Sequence, residues 1–298
     1  MKNKENATDL CVRDELFVYR FMSKKNDIIP KELCQYRERG LIDKIFGNDL
    51  RMYVKLFDSQ GMEKDSQEGK LIYDYFQEVL RRLLKSCKIS KSFYDVVKSS
   101  NQTHSLLFGS QISKYKLFLW CMSTSLDDSK LWKEHADNGD GISIRFNPAF
   151  IQTELMSKYR PCYFYKVLYD RNEIEEYVES AITDLFSIWE RCITESILQK
   201  DQFNMAMSHW LHVNRCRIKE GSKFSWEREY RIVLPIPVSA IKNFLAITEC
   251  NGRACIDLSF EKMNRYIVSI TTGNRCQLTD EERKLLSQYR TVESMVRI

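Results

Sequence analysis

Two short segments decide the fold: Cys121-Met122-Ser123-Thr124-Ser125 and Trp226-Glu227-Arg228-Glu229-Tyr230-Arg231. Both are predicted to be β-strands. Alternate side chains of a strand lie on one face of the sheet, so Glu227, Glu229 and Arg231 are expected to share a face. The first segment carries three hydroxyl side chains in succession. A sheet that pairs these two strands would bring hydroxyl groups beside two carboxylates, although the segments lie far apart along the chain.

The composition predicts an ordered globular protein. Of the 298 residues, 43% are hydrophobic, which supports a sizeable core, and only 10 are glycine and 5 proline. The net charge of +5 permits nucleic-acid contact without requiring it. The ten cysteines form no Cys-x-x-Cys pair, which favours free thiols in a reducing compartment. Residues 1–9 lack the apolar core of a signal peptide, and no stretch approaches a membrane span in length. We therefore expect a soluble, cytoplasmic protein without a membrane partner.

Hydrophobic periodicity predicts an α+β fold in a single domain that covers residues 1–298. Two helical insertions are expected, at about 30–110 and 173–215. Predicted strands cover 15–21, 116–125, 142–146, 162–169, 224–235, 254–258 and 266–272. Predicted helices cover 30–39, 43–57, 71–88, 90–99, 127–137 and 173–213, with a last helix that begins at a capping box over 279–282. Residues 58–70 are expected to form a surface loop.

Glu227 and Glu229 are the candidate catalytic residues. Cleaving an activated glycosidic bond builds positive charge on the sugar, and a nearby carboxylate stabilises that charge. A second carboxylate can orient or deprotonate the incoming nucleophile. The alternative is an exposed edge strand whose glutamates form surface ion pairs with Arg228 and Arg231, which would contribute little stability. The motif alone leaves both interpretations open.

Three further features contain residue types that can form a binding or metal site. Arg20 lies late in the first apolar strand and is a candidate contact for a pyrophosphate or a ribose, because guanidinium matches phosphate geometry. His135 follows the hydroxyl segment and fits packing or ligand stacking better than general-base catalysis. His209, His212 and Cys216 would lie near one face of a helix. No fourth ligand is evident, so no metal site is predicted.

Several motifs together carry a resemblance to a known family. They are Leu131-Trp132-x-x-His135-Ala136, Gly141-Ile142-Ser143-Ile144-Arg145-Phe146, Lys223-x-x-Trp226-x-x-Glu229-Tyr230-Arg231 and Ile270-x-x-Gly273. From Tyr19 to the last helix, the chain resembles a widespread bacterial domain family of formerly unknown function. That family in turn resembles divergent ADP-ribosyltransferases, which have an Arg strand, a Ser-Thr-Ser strand and a Glu strand. Members often serve as toxins or in defence against phage.

The resemblance implies a fold and a set of site residues. The fold is a split, strongly bent β-sandwich with helices packed outside and NAD in the cleft between the sheets. Glu229 would be the catalytic glutamate and Glu227 the upstream carboxylate. Trp132 would be a stacking wall of the pocket. The full set of implied NAD contacts is Tyr19, Arg20, Ser123, Thr124, Ser125, Trp132, His135 and Arg231.

The expected function is mono-ADP-ribosyl transfer from NAD to a macromolecular acceptor. The basic segments favour a nucleic acid, RNA included, slightly over a protein, since phosphate contacts need such charge. Alternatives are an NAD glycohydrolase, and a non-catalytic module that binds NAD or ADP-ribose. A more distant alternative is a metal-dependent nuclease that uses His209, His212 and the Asp-rich stretch 127–140. A toxin would be expected to have a neutralising antitoxin partner.

Overall fold

The computed structural model describes residues 18–22, 52–58, 68–99, 115–147, 161–195, 203, 207, 209–211, 213–237, 239, 247–250, 253–260, 267–280, 283–284, 287 and 291–293. Within these ranges the protein combines helices with one extended sheet, so the fold class is α+β. None of the helices in these ranges is long and apolar enough to cross a membrane.

The described part of the chain contains ten strands. They are β1 (Val18–Met22), β2 (Met52–Asp58), β3 (Tyr115–Ser123), β4 (Ile142–Phe146), β5 (Tyr163–Lys166), β6 (Glu229–Pro237), β7 (Ile247–Cys250), β8 (Arg253–Phe260), β9 (Ile267–Thr272) and β10 (Thr291–Glu293). The paired strands are antiparallel, except for the parallel pair β9 and β10.

The sheet divides at β3. Strand β6 pairs with β3 from Tyr115 to Ser123 and so occupies one edge of β3 completely. The other edge is shared: β1 pairs at Ser123, and β2 pairs at Phe118 and Leu119. One arm continues from β1 to β4, β9 and β10, and the other from β2 to β8 and β7. Because two strands diverge from one edge, the sheet is split beside the end of β3.

The described helices contribute to two separate hydrophobic clusters. The helices are α1 (Glu68–Lys85), α2 (residues 91–99), α3 (Ser129–His135) and α4 (Arg171–Glu195), followed by further helical residues between 203 and 214 and a short helix, Gly221–Phe224. In α1, Ile72, Phe76 and Leu80 recur at helical spacing and are fully buried. They pack in one cluster with Ile182 of α4. Arg82 of α1 forms salt bridges to α4 at the margin of this core.

Most of the predicted elements are confirmed, and three predictions are wrong in part. Strands were predicted correctly at β1, β3, β4, β5, β8 and β9, and helices at α1 to α4. The strand predicted at 224–235 is confirmed only from Glu229 onward, because residues 224–227 are helical. Residues 52–57 were predicted to end a helix but form β2, because they pair with β8 from Met52 to Phe57. The predicted insertion at 30–110 therefore includes a strand of the sheet. The loop predicted at 58–70 ends earlier, since α1 begins at Glu68.

Some predictions concern residues outside the described ranges. The predicted helix at 30–39 lies entirely outside them, and so does most of the predicted loop. Strands β7 and β10 were not predicted. In the last predicted helix, Asp280, Arg283 and Lys284 are helical, which agrees with the prediction as far as it is described. The single domain over 1–298 stays a prediction.

Gly273 is required by a close backbone contact. It follows β9, its N–H donates to the carbonyl of Gly141 (2.9 Å), and a Cβ at this position would overlap the carbonyl oxygen of Gly139. We expect Gly273→Ala to lower the free energy of unfolding by about 1–3 kcal/mol, measured by urea denaturation. Asn274→Ala, at the exposed next position, is the matched control and should stay near wild type. Equal midpoints for the two variants would contradict the close contact.

Candidate active site

The hydroxyl segment and the acidic segment meet in the sheet, as predicted. Ser123, the last residue of β3, is the Cα partner of Glu229, the first residue of β6. From the other edge of β3, Tyr19 of β1 is also a Cα partner of Ser123. Tyr19, Ser123 and Glu229 therefore form one row across three neighbouring strands, beside the point where the sheet divides. Arg20 pairs with Ile144 and lies one position along β1 from this row.

Glu227 does not lie on the strand, and the prediction that it shares a pleat with Glu229 is wrong. It belongs to a 3-10 turn, Ser225–Glu227, and Arg228 after it has a left-handed backbone with φ 44°. That conformation is unusual for a residue with a side chain, and it separates the turn from β6. The two carboxylates are brought together by a change of chain direction and not by strand alternation.

Ser123 and Thr124 hold this turn in place. The Ser123 hydroxyl donates to the carbonyl of Glu227 (2.6 Å), and the Thr124 N–H donates to the carbonyl of Arg228 (3.2 Å). The Ser125 N–H donates to the Ser123 hydroxyl (3.0 Å). The three predicted hydroxyl residues thus lie at the site. In this structure the Ser123 hydroxyl orients the acidic turn, since it is buried and bonded to protein.

Four charged side chains form a cluster at the start of β6. Lys219 Nζ lies 2.5 Å from Glu227 Oε2 and 2.9 Å from Glu229 Oε2. Arg231 Nη2 donates to the same Glu229 oxygen (2.9 Å), and Arg231 Nη1 donates to the carbonyl of Cys216 (2.6 Å). Arg231 is fully buried and binds Glu229, and its predicted role as an NAD contact stays a prediction.

A strand-like backbone connection places Lys219 beside the two glutamates. Leu168 forms a parallel bridge with Ile218, and the Lys219 N–H donates to the carbonyl of Leu168 (3.0 Å). On its other side the same segment reaches β6: the Val167 N–H donates to the carbonyl of Glu229 (2.9 Å). The Glu229 N–H in turn donates to the Tyr169 hydroxyl (3.1 Å). Residues 167–169 therefore join Lys219 to Glu229.

The surroundings shift the pKa values of the two carboxyl groups in opposite directions. Burial raises the pKa of Glu229, but Arg231 and Lys219 outweigh burial and leave that pKa well below its usual range. Burial likewise raises the pKa of Glu227, and because Lys219 opposes this only in part, the pKa stays above its usual value. For Lys219, burial lowers the pKa, but the two glutamates outweigh it and raise the pKa. Glu229 is thus held ionised, whereas Glu227 can take up a proton more readily.

Cys121 lies beside this cluster, and its surroundings favour the neutral thiol. It is the Cα partner of Arg231, and its thiol interacts with Glu229. Burial, reinforced by the Glu229 charge, raises the pKa of Cys121 to about 12. Since the thiolate is the reactive form, the thiol is inert near neutral pH.

Trp132, the predicted stacking residue, is buried, whereas Trp226 is partly exposed. The Trp132 Nε1–H donates to the carbonyl of Leu126 (2.8 Å), and its predicted contact with a ligand stays a prediction. Trp226, partly exposed and adjacent to Glu227, stacks on His135 with 6.4 Å between ring centroids. Lys130 Nζ lies 5.6 Å from the Trp226 ring centroid. His135 and Trp226 belong to two of the motifs that carry the family resemblance, so these two motifs meet beside the acidic turn.

The histidine and cysteine pattern at 209–216 was considered for metal binding. His209 is half-buried and lies 3.5 Å from the Tyr163 hydroxyl, while His212 falls outside the described residues. Cys216 is buried, and its carbonyl accepts from Arg231. Among the residues that the structure describes, no group of three His, Cys, Asp or Glu side chains is arranged to hold a metal ion.

Comparison with known proteins adds no assignment to this geometry. No family model matches the chain, and no curated protein or solved structure matches it either. The site is therefore interpreted from its own residues.

The cluster predicts a loss of stability in acid. The folded-state pKa of Glu229 lies below its ordinary value of 4.5, so below pH 4.5 the unfolded chain binds more protons than the folded protein. The stability that Glu229 contributes is present above that pH and is lost as the pH falls through the folded pKa. We expect urea denaturation to show this acid limb in the wild type and a flatter one in Glu229→Gln. Parallel acid limbs in the two proteins would contradict the lowered pKa.

Proposed function

We propose that the protein is a mono-ADP-ribosyltransferase that transfers ADP-ribose from NAD to a macromolecular acceptor. The observation that supports this proposal is the row that places Ser123 opposite Glu229, with Glu227 tied to the same point. The row lies beside the division of the sheet, where a split β-sandwich of the ADP-ribosyltransferase kind would have its NAD cleft. Two carboxyl groups with different proton affinities at one site suit glycosidic-bond chemistry.

In the proposed reaction, the charged groups of this cluster stabilise the ribose and accept a proton. The C1′–N bond of NAD breaks, and its electron pair leaves with nicotinamide, whose ring nitrogen becomes neutral. The ribose gains positive charge at C1′, which the ionised Glu229 stabilises. A lone pair of the acceptor forms the new bond at C1′, and the acceptor proton passes to Glu227. Ser123 takes part by fixing the turn that carries Glu227, and Trp226 offers a partly exposed ring for stacking.

We propose a nucleic acid, RNA included, as the acceptor class slightly ahead of protein. The mild basic excess of the chain supports this order, because contacts with phosphates need positive charge. An activity of this kind fits a bacterial toxin or an anti-phage effector in the cytoplasm, and an antitoxin partner would then neutralise it. The preference for a nucleic acid over a protein as acceptor does not depend on the chemistry proposed at Glu227 and Glu229.

The test uses purified protein, total cell extract and NAD labelled in its adenylate part. We expect label to join macromolecular material, and nicotinamide to be released in equal amount. Ribonuclease should remove the label if RNA is the acceptor, deoxyribonuclease if DNA, and protease if protein. Free labelled ADP-ribose without labelled macromolecules would identify an NAD glycohydrolase instead. Intact NAD after prolonged incubation would overturn the proposed activity.

A second candidate is a non-catalytic module that binds NAD or ADP-ribose. The observation that favours it is the low exposure of the Glu229 side chain (8%), which is paired with two cations. In that case the cluster would serve to join β6 to the segment around Lys219. Calorimetry that detects NAD binding, together with intact NAD in the labelling test, would support this candidate.

A further inference from the structure

A single ammonium group connects the two carboxylates. Lys219 Nζ contacts Oε2 of Glu227 and Oε2 of Glu229, and Arg231 contacts Glu229 through the same Oε2. For each of these ion pairs, the cation therefore contacts the carboxylate at an Oε2 atom. Charge-assisted contacts of this kind fix the direction of a carboxylate.

Lys219 is not an ordinary surface ion-pair partner. Its side chain is only 11% exposed, and those of Glu227 and Glu229 are 13% and 8% exposed. Surface pairs contribute little because water screens them, whereas pairs removed from water interact more strongly. The Phe224 ring lies 5.1 Å from Nζ and covers the ammonium further. The backbone of Lys219 is also fixed, by its hydrogen bond to Leu168.

We propose that Lys219 is a positioning residue of the acid pair, which holds Glu227 and Glu229 at one point and keeps their two charges together. This inference deepens the proposed function, on which its catalytic meaning rests. Without the ammonium, two partly buried carboxylates would repel each other, and the turn at 225–227 would lose its charged contact with the start of β6. The sequence predicted no role for Lys219 at the acid pair.

Other charged and titratable groups also face the pair. Arg231 on β6 contacts Glu229, Cys121 on β3 interacts with it, and the Tyr169 hydroxyl accepts from its N–H. These three contacts are all made to Glu229. Lys219 contacts both glutamates, whereas Arg231 also contacts Glu229, so removing Lys219 should affect Glu227 most.

The test follows the carboxyl carbons of Glu227 and Glu229 by NMR during a pH titration, with each signal assigned from its glutamine variant. In Lys219→Met we expect the titration midpoint of Glu227 to rise by about 1 pKa unit or more, because its counter-charge is lost. Lys219→Arg keeps the charge and should stay close to wild type. A Glu227 midpoint that is the same in Lys219→Met and wild type would overturn the proposal.

A second measurement covers the case in which Lys219→Met does not fold. Glu227→Gln changes little in shape, and the Nζ signal of Lys219 can be titrated in it and in the wild type. We expect the Lys219 midpoint to fall in Glu227→Gln, since one of its two carboxylates is neutral; an unchanged midpoint would overturn the proposal. Neither titration uses enzymatic activity. A protein that leaves NAD intact but shows both shifts would refute the proposed function and support the positioning role.

Discussion

Glu229→Gln is expected to slow the transfer of ADP-ribose from NAD by about 10²–10⁴-fold, the range typical for loss of a charged catalytic group. Glutamine keeps the size of the side chain and one carbonyl oxygen for Arg231, so the fold should be disturbed less than by alanine. What it removes is the negative charge that would stabilise the ribose as nicotinamide leaves. The measurement is the initial rate of nicotinamide release from NAD at saturating concentration.

The matched control is Glu190→Gln, which changes the same residue type at an exposed position of α4. Its rate should equal that of the wild type. Circular dichroism and urea denaturation of both variants would show whether lost activity reflects lost structure. A folded Glu229→Gln protein with the wild-type rate would exclude Glu229 from the chemistry.

The part of the site that could be predicted from sequence depends on regular elements. The apolar runs that become β3 and β6 can be recognised locally, and each ends at a polar group. Ser123 and Glu229 could therefore be expected to lie near one another once the two strands were assumed to pair. Likewise, the apolar stripe of α1 at Ile72, Phe76 and Leu80 has the helical period and was predicted correctly.

Glu227 was misplaced because its position depends on a local backbone exception. A Glu-x-Glu sequence continues a strand by default, and nothing in the residue type of Arg228 indicates its φ of 44°. The turn is stabilised from outside, by Ser123 and Thr124 of the neighbouring segment. Strained conformations that tertiary contacts support are not visible to a local pattern.

Lys219 was missed for a related reason. Its proximity to the glutamates depends on the bridge between Leu168 and Ile218, which joins segments distant in the chain. A weak local signal did exist, since Cys216 and Ile218 alternate with basic residues, and the two are buried. Alternation of that kind is typical of a strand with one buried face. Strand β2 was predicted as a helix for the same reason, since only its pairing with β8 distinguishes it from a helix.

Arg231→Met is expected to lower the free energy of unfolding by about 3–5 kcal/mol, the usual cost of removing one partner from a buried ion pair. Arg231 is fully buried, and it donates both to Glu229 and to the carbonyl of Cys216. Methionine fills part of the space but supplies no charge and no donor. Urea denaturation at neutral pH gives the comparison, with Arg81→Met at an exposed position of α1 as control.

The same substitution should cost less in a protein that already carries Glu229→Gln. With Glu229 neutral, Lys219 and Glu227 balance each other, and the loss of Arg231 leaves no uncompensated carboxylate. The double-mutant cycle should then show a coupling of about 1–3 kcal/mol between positions 229 and 231. Strictly additive costs would mean that Arg231 acts through packing and its bond to Cys216. In that case the charge balance of the cluster would not explain why an arginine is buried behind the acid pair.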